Sequence, residues 1–396
     1  MSVQLRMVCR TLLRREGGGA IGSKNVGEVD GNPREGFKMN VHEQVNIRRS
    51  QADRWVEVEP ESQYERRTPN LFNFFGYSDD VRRYILNEIC RRYVAVPPQD
   101  VYFHNEAYAS DYTVLFNRER QVLQGSVVDH NSIPTFEELS NVPGYNIEHI
   151  AGRAAYIWKS GKNNYGHVLV EMLSKCESLL KAGLTPMRLI VPSLAEDLRI
   201  HFEKMLHAAY GDAFSLIYMT TPLAKVDELV VPGPVTRHNS QKSHAVSTLA
   251  ARLRKAAGVR RGFEKIYVSR SGHPNRRMEN EHVIEEIVQS YGFKIVRPET
   301  MSVLDQVATF SGAQHVMGPL GAGLTNSVFS PEGAQVTVID PGLYDFFFYD
   351  LASLRGQQFN WIFTQPIEIN DGSRLHSNYV VDAALIKQVL DVVGVN

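Results

Sequence analysis

The stretch QHVMGPLGAGLTNSVF, from Gln314 to Phe329, decides the fold that this sequence predicts. It begins as a short apolar strand, continues as a turn that holds Gly318, Gly321 and Gly323, and then opens a helix near Leu324. This order puts free backbone N–H groups and the positive end of a helix dipole at the carboxyl edge of a sheet. Because glycines also allow close approach and positive φ, the stretch predicts a phosphate or diphosphate site. A glycine-rich turn is equally typical of packing, so its neighbours decide between the two.

The composition is that of a globular protein without a strong charge bias. The 396 residues are 43% apolar and 22% charged, and the formal net charge is −1. A chain of this length predicts about two domains. Its charge gives no indication of nucleic acid as a partner. No stretch reaches the roughly 20 apolar residues that span a bilayer, and residues 1–19 lack the apolar core of a secretory signal.

Hydrophobic patterning divides the chain into four parts. Residues 1–69 are polar and rich in arginine and glycine, so we expect them to be largely flexible. Residues 70–240 are predicted to form a Rossmann-like domain with a small β layer, and residues 241–380 a second Rossmann-like domain. The amphipathic end of the chain, 381–396, is expected to form a helix that packs back across the cleft between them.

Strands and helices alternate from about residue 154 onward. Strands are predicted at 154–158, 187–192, 214–219, 227–232, 265–270, 293–298, 315–317 and 335–340. Helices are predicted at 166–181, 195–210, 243–257, 281–291 and 302–312. Such alternation implies right-handed crossovers and parallel sheets. The predicted fold class is therefore α/β, with two Rossmann-like parallel-sheet domains that face each other across a cleft.

Polar residues of the second domain follow its predicted strands, where ligands of open parallel sheets bind. Ser269 and Arg270 end one strand, and a guanidinium offers bidentate donors to phosphate. Glu299 follows the next strand and is a candidate to accept from ribose hydroxyls, although an exposed loop acid fits the spacing equally well. Thr325 and Asn326 lie in the first turn of the helix after the glycines.

The first domain contributes a histidine and an acid in NNYGHVLVE. His167 and Glu171 are four residues apart, so on a helix they share a face. A carboxylate beside an imidazole raises its basicity and orients it, which suits a general base near neutral pH. The alternative for His167 is a capping or packing role at the start of the helix.

Taken together, these residues resemble glycosyltransferase family 61, which includes bacterial capsular polysaccharide enzymes, plant xylosyl- and arabinosyltransferases and animal N-acetylglucosaminyltransferases. The resemblance covers roughly residues 100–345. It is carried by YVSRSG, by Arg276, Arg277, Asn280 and Glu281, and by GFKIVRPETMSVLDQVATFSGAQHVMGPLGAGLTNSVF. The family's Asn–Tyr–Tyr–His segment with a following acid corresponds to Asn164, Tyr165, His167 and Glu171.

The resemblance implies a GT-B fold and an inverting transfer from a nucleotide-sugar donor, expected to be UDP-linked, with no metal and no other cofactor. Residues 241–380 would be the nucleotide-sugar-binding domain and 70–240 the acceptor side. Arg270 and Ser269 would hold the diphosphate, Gly321, Ala322, Gly323, Thr325 and Asn326 would complete its cradle, and Glu299 would lie near the ribose. His167, supported by Glu171, would act as the base toward the acceptor.

The expected function is transfer of a hexosyl, pentosyl or N-acetylhexosaminyl group to a glycan or lipid-linked saccharide in bacterial surface polysaccharide synthesis. We expect a cytoplasmic protein at the inner membrane face that binds no nucleic acid. One alternative is a catalytically inactive relative that binds nucleotide or glycan as a scaffold. A Rossmann oxidoreductase is disfavoured, because the glycine turn lacks the G-x-G-x-x-G spacing with an acid about 20 residues on.

The sequence departs from the family pattern at four positions. Leu320 stands where the family commonly has histidine, and Glu171 where it has aspartate. Val168 replaces a tryptophan and Gly166 an aromatic residue. Without the histidine, one donor to the leaving diphosphate is lost. Altered donor choice, lower activity, or compensation by His273 or His315 are the expected consequences.

Overall fold

The computed structural model describes residues 49–123, 133–237, 240–258, 263–367 and 376–394. Two large sheets and a two-stranded ribbon, β2 with β4, are flanked by helices, which confirms the predicted mixed α/β class with parallel sheets. The strands, in chain order, are β1 Arg54–Glu59, β2 Ser62–Glu65, β3 Asn70–Phe72, β4 Tyr93–Val96, β5 Gln99–Ser110, β6 Leu115–Phe116, β7 Glu148–Ala155, β8 Met187–Val191, β9 Phe214–Tyr218, β10 Leu223–Pro232, β11 Lys265–Val268, β12 Lys294–Val296, β13 His315–Pro319, β14 Gln335–Asp340 and β15 Gln358–Phe363. No helix within these ranges combines the length and apolarity that a bilayer crossing needs.

Helices cover the faces of both sheets. The α-helices, in chain order, are α1 Asp79–Ile89, α2 Phe136–Ser140, α3 Tyr165–His167, α4 Cys176–Lys181, α5 Glu196–Tyr210, α6 His244–Ala257, α7 Glu281–Ser290, α8 Val303–Ser311, α9 Phe347–Leu354 and α10 Ala383–Val392. A π turn, Val168–Met172, and a 3-10 turn, Leu173–Lys175, join α3 to α4. A 3-10 helix, Ala322–Phe329, follows β13.

The first sheet has the strand order β1-β5-β10-β7-β8-β9, with β6 paired to β5. β7, β8, β9 and β10 are parallel, as the alternating pattern predicted, whereas β5 pairs antiparallel with β10, β1 and β6. The carboxyl ends of β7 and β10 are neighbours, so the residues that follow these two strands meet at one edge.

The second sheet is parallel throughout, in the order β12-β11-β13-β14-β15-β3. When β11 to β15 are numbered 1 to 5, this order is 2-1-3-4-5, with β3 added at the edge. The order reverses between β11 and β13. Ligands of open α/β sheets bind at such a switch point, beyond the carboxyl ends of the strands. The glycine turn after β13 and Arg270 after β11 therefore lie where the topology favours a ligand.

The N-terminal part of the described chain departs from the prediction in two ways. Residues 1–48 lie outside the described residues, but residues 49–69, expected to be flexible, form β1 and β2 and include the buried Arg66. β3, assigned to the first domain, is an edge strand of the second sheet. Its partner β15 is far away in sequence, so no local pattern could reveal this pairing.

The C-terminal helix packs on the second sheet, not across a cleft as the sequence predicted. Ile386, Val389 and Leu390 of α10 are fully buried in one cluster with Ile284 and Val288 of α7. That cluster also includes side chains of β11, β13, β14 and β15, so α10 covers the outer face of this sheet. The apolar side of the helix was predicted correctly, but periodicity alone does not say which apolar surface it covers.

Two histidines buried in the sheets predict that stability falls on mild acidification. Burial lowers the pKa of His104 to about 4 and that of His315 to about 3. In the unfolded chain both protonate near pH 6.5, so the unfolded state binds more protons below that pH. At pH 5 each histidine should cost about 2 kcal/mol of unfolding free energy relative to pH 8.

Urea unfolding between pH 8 and pH 5 measures this loss. His104→Gln and His315→Gln should each flatten the profile, whereas His207→Gln, which changes an exposed histidine of α5, should not. A profile that keeps its slope in both buried-site variants contradicts the assignment.

Candidate functional site

The first unit and the second unit are the first sheet and the second sheet, each with the helices that cover it. A cavity of about 340 Å³ lies between the first unit and the switch point of the second sheet. On the side of the second sheet, the predicted residues that line it are Ser269, Arg270, Glu299, Gly321, Ala322 and Gly323. On the opposite side the lining residues are Asn163, Tyr165, Ala195, Asp197, Leu198 and His201. The remaining predicted residues, Thr325, Asn326, His167 and Glu171, do not line this cavity.

Arg270 is the cation of the cavity. Its backbone N–H donates to Oε1 of Glu281 at 2.8 Å, and Nη2 donates to the carbonyl oxygen of Asn275 at 3.2 Å. Its Nε is buried without a hydrogen-bond partner, and within the described ranges no carboxylate forms an ion pair with it. Burial lowers the pKa of Arg270 from its ordinary value. A desolvated charge of this kind favours an anionic ligand.

The glycine turn allows the guanidinium to lie directly against the backbone. A Cβ at Gly321 would overlap Nη1 of Arg270, and a Cβ at Gly318 would lie 2.6 Å from the carbonyl oxygen of Val268. The φ of Gly321 is 176°, which any residue adopts, and neither Gly318 nor Gly323 has a positive φ. The expectation of positive φ in this turn was therefore wrong, since these positions need space instead.

We expect Gly321→Ala to weaken anion binding without a large loss of stability. The new methyl group would displace the far end of the flexible Arg270 side chain, and bidentate contacts depend on its position. Affinity for a nucleoside diphosphate should fall about tenfold, as measured by calorimetry. Gly76→Ala, where a Cβ makes only ordinary contact, is the matched control. Unchanged affinity in Gly321→Ala would contradict this role of the turn.

The helix after the turn ties the two units together. Asn326 is buried, accepts from the Tyr165 hydroxyl at 2.7 Å and donates to Oε1 of Gln306 at 2.8 Å. Thr325 is also buried, and a Cβ at Gly166 would lie 2.6 Å from its Oγ1. The aromatic residue that the family has in place of Gly166 would not fit against Thr325 here. Thr325 and Asn326 thus join the units, and neither offers a group to the cavity.

Other predicted donor residues have distinct environments. The hydroxyl of Ser269 accepts from the N–H of Ser271 at 3.1 Å, so it shapes the loop after β11. Glu299 is exposed at the cavity, in the 3-10 turn Pro298–Thr300. A carboxylate placed there can accept from hydroxyl groups of a ligand.

The predicted His167–Glu171 pair is formed at the carboxyl edge of the first sheet. Nδ1 of His167 contacts Oε2 of Glu171, which also lies 2.9 Å from Nζ of Lys159. Oε1 accepts from the Thr236 hydroxyl at 3.2 Å. Lys159 follows β7 and Thr236 follows β10, so neighbouring strand ends surround a carboxylate that is only 1% exposed. The sequence did not reveal Lys159, because its link to Glu171 depends on the sheet.

The segment that carries this pair is less regular than predicted. Hydrophobic spacing indicated one amphipathic helix over 166–181, but the chain changes through α, π and 3-10 turns. Polar residues such as Glu171, Lys175 and Glu177 are buried together with the apolar side. Because the segment is enclosed on all sides, periodicity could not describe it.

His273 and His315 are the two candidates to replace the family histidine at Leu320. His273 lines the cavity, and burial, with a smaller contribution from Arg270, lowers its pKa. His315 lies at the opposite end of β13 and pairs with Thr337 at 2.8 Å. His273 alone of these two can therefore reach a ligand in the cavity. Leu320 itself is buried, and its carbonyl oxygen accepts from Nη2 of Arg276 at 3.1 Å.

The sequence did not indicate Asp197 and His201 as residues of the site. They lie one turn apart at the start of α5, and Asn163 supports that start by accepting from the N–H of Ala195 at 3.3 Å. In the sequence this helix shows only an ordinary amphipathic pattern. Its approach to Arg270 depends on how the two units pack.

The fold and the cavity define an α/β protein with a cavity, lined by Arg270, at the switch point of a parallel sheet. Residues 165–337 match the family model described as Glycosyltransferase 61. This match confirms the resemblance to glycosyltransferase family 61 over residues 165–337, and it suggests glycosyl transfer. A search of the curated proteins found no match.

Proposed function

We propose that this protein is an inverting glycosyltransferase of GT-B architecture that uses a nucleoside-diphosphate sugar, UDP-linked, as its donor. The observation that carries the proposal is Arg270, a desolvated guanidinium that forms no ion pair within the described chain, at the switch point of a parallel sheet. A diphosphate would supply the missing negative charge.

The donor side of the mechanism rests on charge. As the bond from the anomeric carbon to the diphosphate breaks, negative charge develops on the leaving oxygen. Arg270 and the backbone beside Gly321 would stabilise that charge, and the loss of one such donor raises a barrier by roughly 3–4 kcal/mol. Glu299 would accept from the ribose hydroxyls, which orients the nucleoside.

The acceptor side uses the His167–Glu171 pair. The acceptor hydroxyl attacks the anomeric carbon from the face opposite the diphosphate, so the configuration inverts. His167 takes the hydroxyl proton through Nε2, because its Nδ1 is engaged by Glu171. The carboxylate stabilises the imidazolium, and Lys159 lies 2.9 Å from the same carboxylate as a counter-charge. His167 lies outside the 340 Å³ cavity, so the acceptor would approach from beside it.

The proposed setting is bacterial surface polysaccharide synthesis at the cytoplasmic face of the membrane, with a glycan or lipid-linked saccharide as the acceptor and without a metal. Its support is the resemblance to capsular polysaccharide enzymes. A catalytically inactive scaffold is the second candidate. Leu320 favours it, because this buried side chain provides no donor where the family has a histidine.

A ligand panel tests the proposal. UDP, GDP, CDP, CMP and NAD are each added at saturation to the wild type, to Arg270→Ala and to the control Arg277→Ala. A ligand at about 100 times its Kd stabilises by about 2.7 kcal/mol, which raises the thermal midpoint by a few degrees. We expect a nucleoside diphosphate to do so in the wild type and in the control only.

The other outcomes separate the alternatives. Stabilisation by NAD alone would overturn the transferase proposal. Nucleotide binding without any transfer or donor hydrolysis would support the inactive scaffold. If no nucleotide binds to the wild type, the proposed donor site is wrong.

A further inference from the structure

His201 lines the cavity, and one contact assigns the roles of its two ring nitrogens. Its Nδ1 lies 2.7 Å from the carbonyl oxygen of Asp197. A carbonyl oxygen can only accept, so Nδ1 carries the proton, and in the neutral ring Nε2 holds the lone pair. Within the described chain no hydrogen bond to Nε2 is present, and the residue lines the cavity together with Asp197.

The ring of His201 is supported by Tyr165, which in turn is bound to the second unit. The His201 ring makes an edge-to-face contact with Tyr165, with the centroids 6.3 Å apart. The Tyr165 hydroxyl is itself bound to Asn326 of the second unit. A histidine held in this way keeps its orientation toward the cavity, which a group that selects a ligand requires.

The two sides of the cavity face different parts of a nucleotide sugar. Arg270, Glu299 and the glycine turn, the groups suited to diphosphate and ribose, all belong to the second sheet. The opposite side offers the imidazole of His201 and the carboxylate of Asp197. Hydrogen-bond acceptors of this kind match the hydroxyl groups of a sugar. In the proposed mechanism the donor sugar must also point toward the first unit, because the substrate that receives the sugar binds beside His167.

We propose that His201 selects the donor sugar, with its Nε2 accepting a hydrogen bond from a sugar hydroxyl and Asp197 as the adjacent acceptor. The inference rests on the proposed function and assigns the sugar-recognising side of the same cavity. His201 is thereby distinct from His167, which acts on the acceptor.

Calorimetry with matched ligands tests this assignment. Affinities are measured for UDP and for UDP-glucose, UDP-xylose and UDP-N-acetylglucosamine. The proteins are the wild type, His201→Phe, His201→Gln and the control His207→Phe, which changes an exposed histidine on the same helix. His201→Phe keeps the ring but removes the acceptor. We expect it to lower the preference for the best UDP-sugar over UDP about five- to tenfold, with the affinity for UDP unchanged. His201→Gln, which retains an acceptor, should recover part of that preference.

Several results would overturn the inference. An equal loss of affinity for UDP and UDP-sugar would place His201 at the nucleotide, and an unchanged preference would remove it from recognition. Should His201→Phe fail to fold, His201→Ala, which only shortens a partly exposed side chain, replaces it. If UDP and UDP-sugars do not bind to the wild type, the proposed UDP-linked donor fails and this inference fails with it. If these ligands bind to the wild type but His201→Phe leaves the preference for the UDP-sugar unchanged, only the role of His201 is contradicted.

Discussion

Arg270→Ala is expected to lower turnover at least about a hundredfold while the protein stays folded. Removal of one preoriented donor to developing negative charge costs 10²–10³ in rate in other enzymes, roughly 3–4 kcal/mol. Arg270 is desolvated and held against Gly321, so water cannot readily replace its contacts to the diphosphate. Product formation with the donor that the ligand panel identifies gives kcat and KM, and the thermal midpoint reports on the fold.

One control changes another arginine of the same loop, and a second control replaces Arg270 by a residue of the same charge. Arg277 is half exposed and pairs with Glu279 at 2.9 Å, so Arg277→Ala should change turnover less than twofold. Arg270→Lys keeps the charge but loses the bidentate geometry, and its turnover should fall between the other two. Near-normal turnover in Arg270→Ala would remove this residue from the mechanism.

Asp350→Asn is expected to lower the free energy of unfolding by about 3–5 kcal/mol. Asp350 is fully buried and accepts from Nε and Nη2 of Arg66 at 2.8 and 2.9 Å and from the Tyr64 hydroxyl at 2.7 Å. Arg66 is itself only 5% exposed and lies over the ring of Tyr349. Neutralising the carboxylate would leave the buried guanidinium with only the longer ion pair to Glu88, at 3.9 Å from Nη1. Urea unfolding at pH 7 measures the loss.

A neighbouring ion pair and a double variant separate charge from packing. Arg67 and Glu332 lie 3.6 Å apart with both side chains exposed, so Glu332→Gln should cost less than about 1 kcal/mol. The double variant Arg66→Met, Asp350→Leu removes both charges and should recover most of the stability. If the double variant is as unstable as Asp350→Asn, the loss comes from packing and the argument from unpaired charge is wrong.

Local motifs predicted the residues whose roles depend on neighbours in sequence. The strand before Arg270, the glycine turn after β13 and the pairing of His167 with Glu171 all followed from spacing, because each is set within one βα unit. The same reasoning could not assign a contact between Asp350 and Arg66, which are 284 residues apart. The residue type shows that a side chain is charged, but the sequence pattern does not show that the side chain is buried against a partner far away in sequence.

The candidate site was predicted only on the side that one sheet supplies. Ser269, Arg270, Glu299 and the glycines meet because the carboxyl ends of parallel strands share an edge. His201 and Asp197 reach the same cavity through the packing of one unit on the other, which no periodicity encodes. Asn326 shows the converse, since its place beside the glycine turn suggested a ligand contact while packing directed its amide to Tyr165 and Gln306.

The parallel pairing of β3 with β15 has a consequence for how the protein is made. Asn70 and Asn360 are 290 residues apart. At 5–20 residues per second, β3 is synthesised about 15 to 60 seconds before its partner. The edge strand β3 therefore cannot join the sheet that supplies Arg270 until the chain has been synthesised as far as residue 363. A fragment that starts at residue 241 would lack β3 and Arg66, so this part of the chain is not expected to be a self-sufficient folding unit.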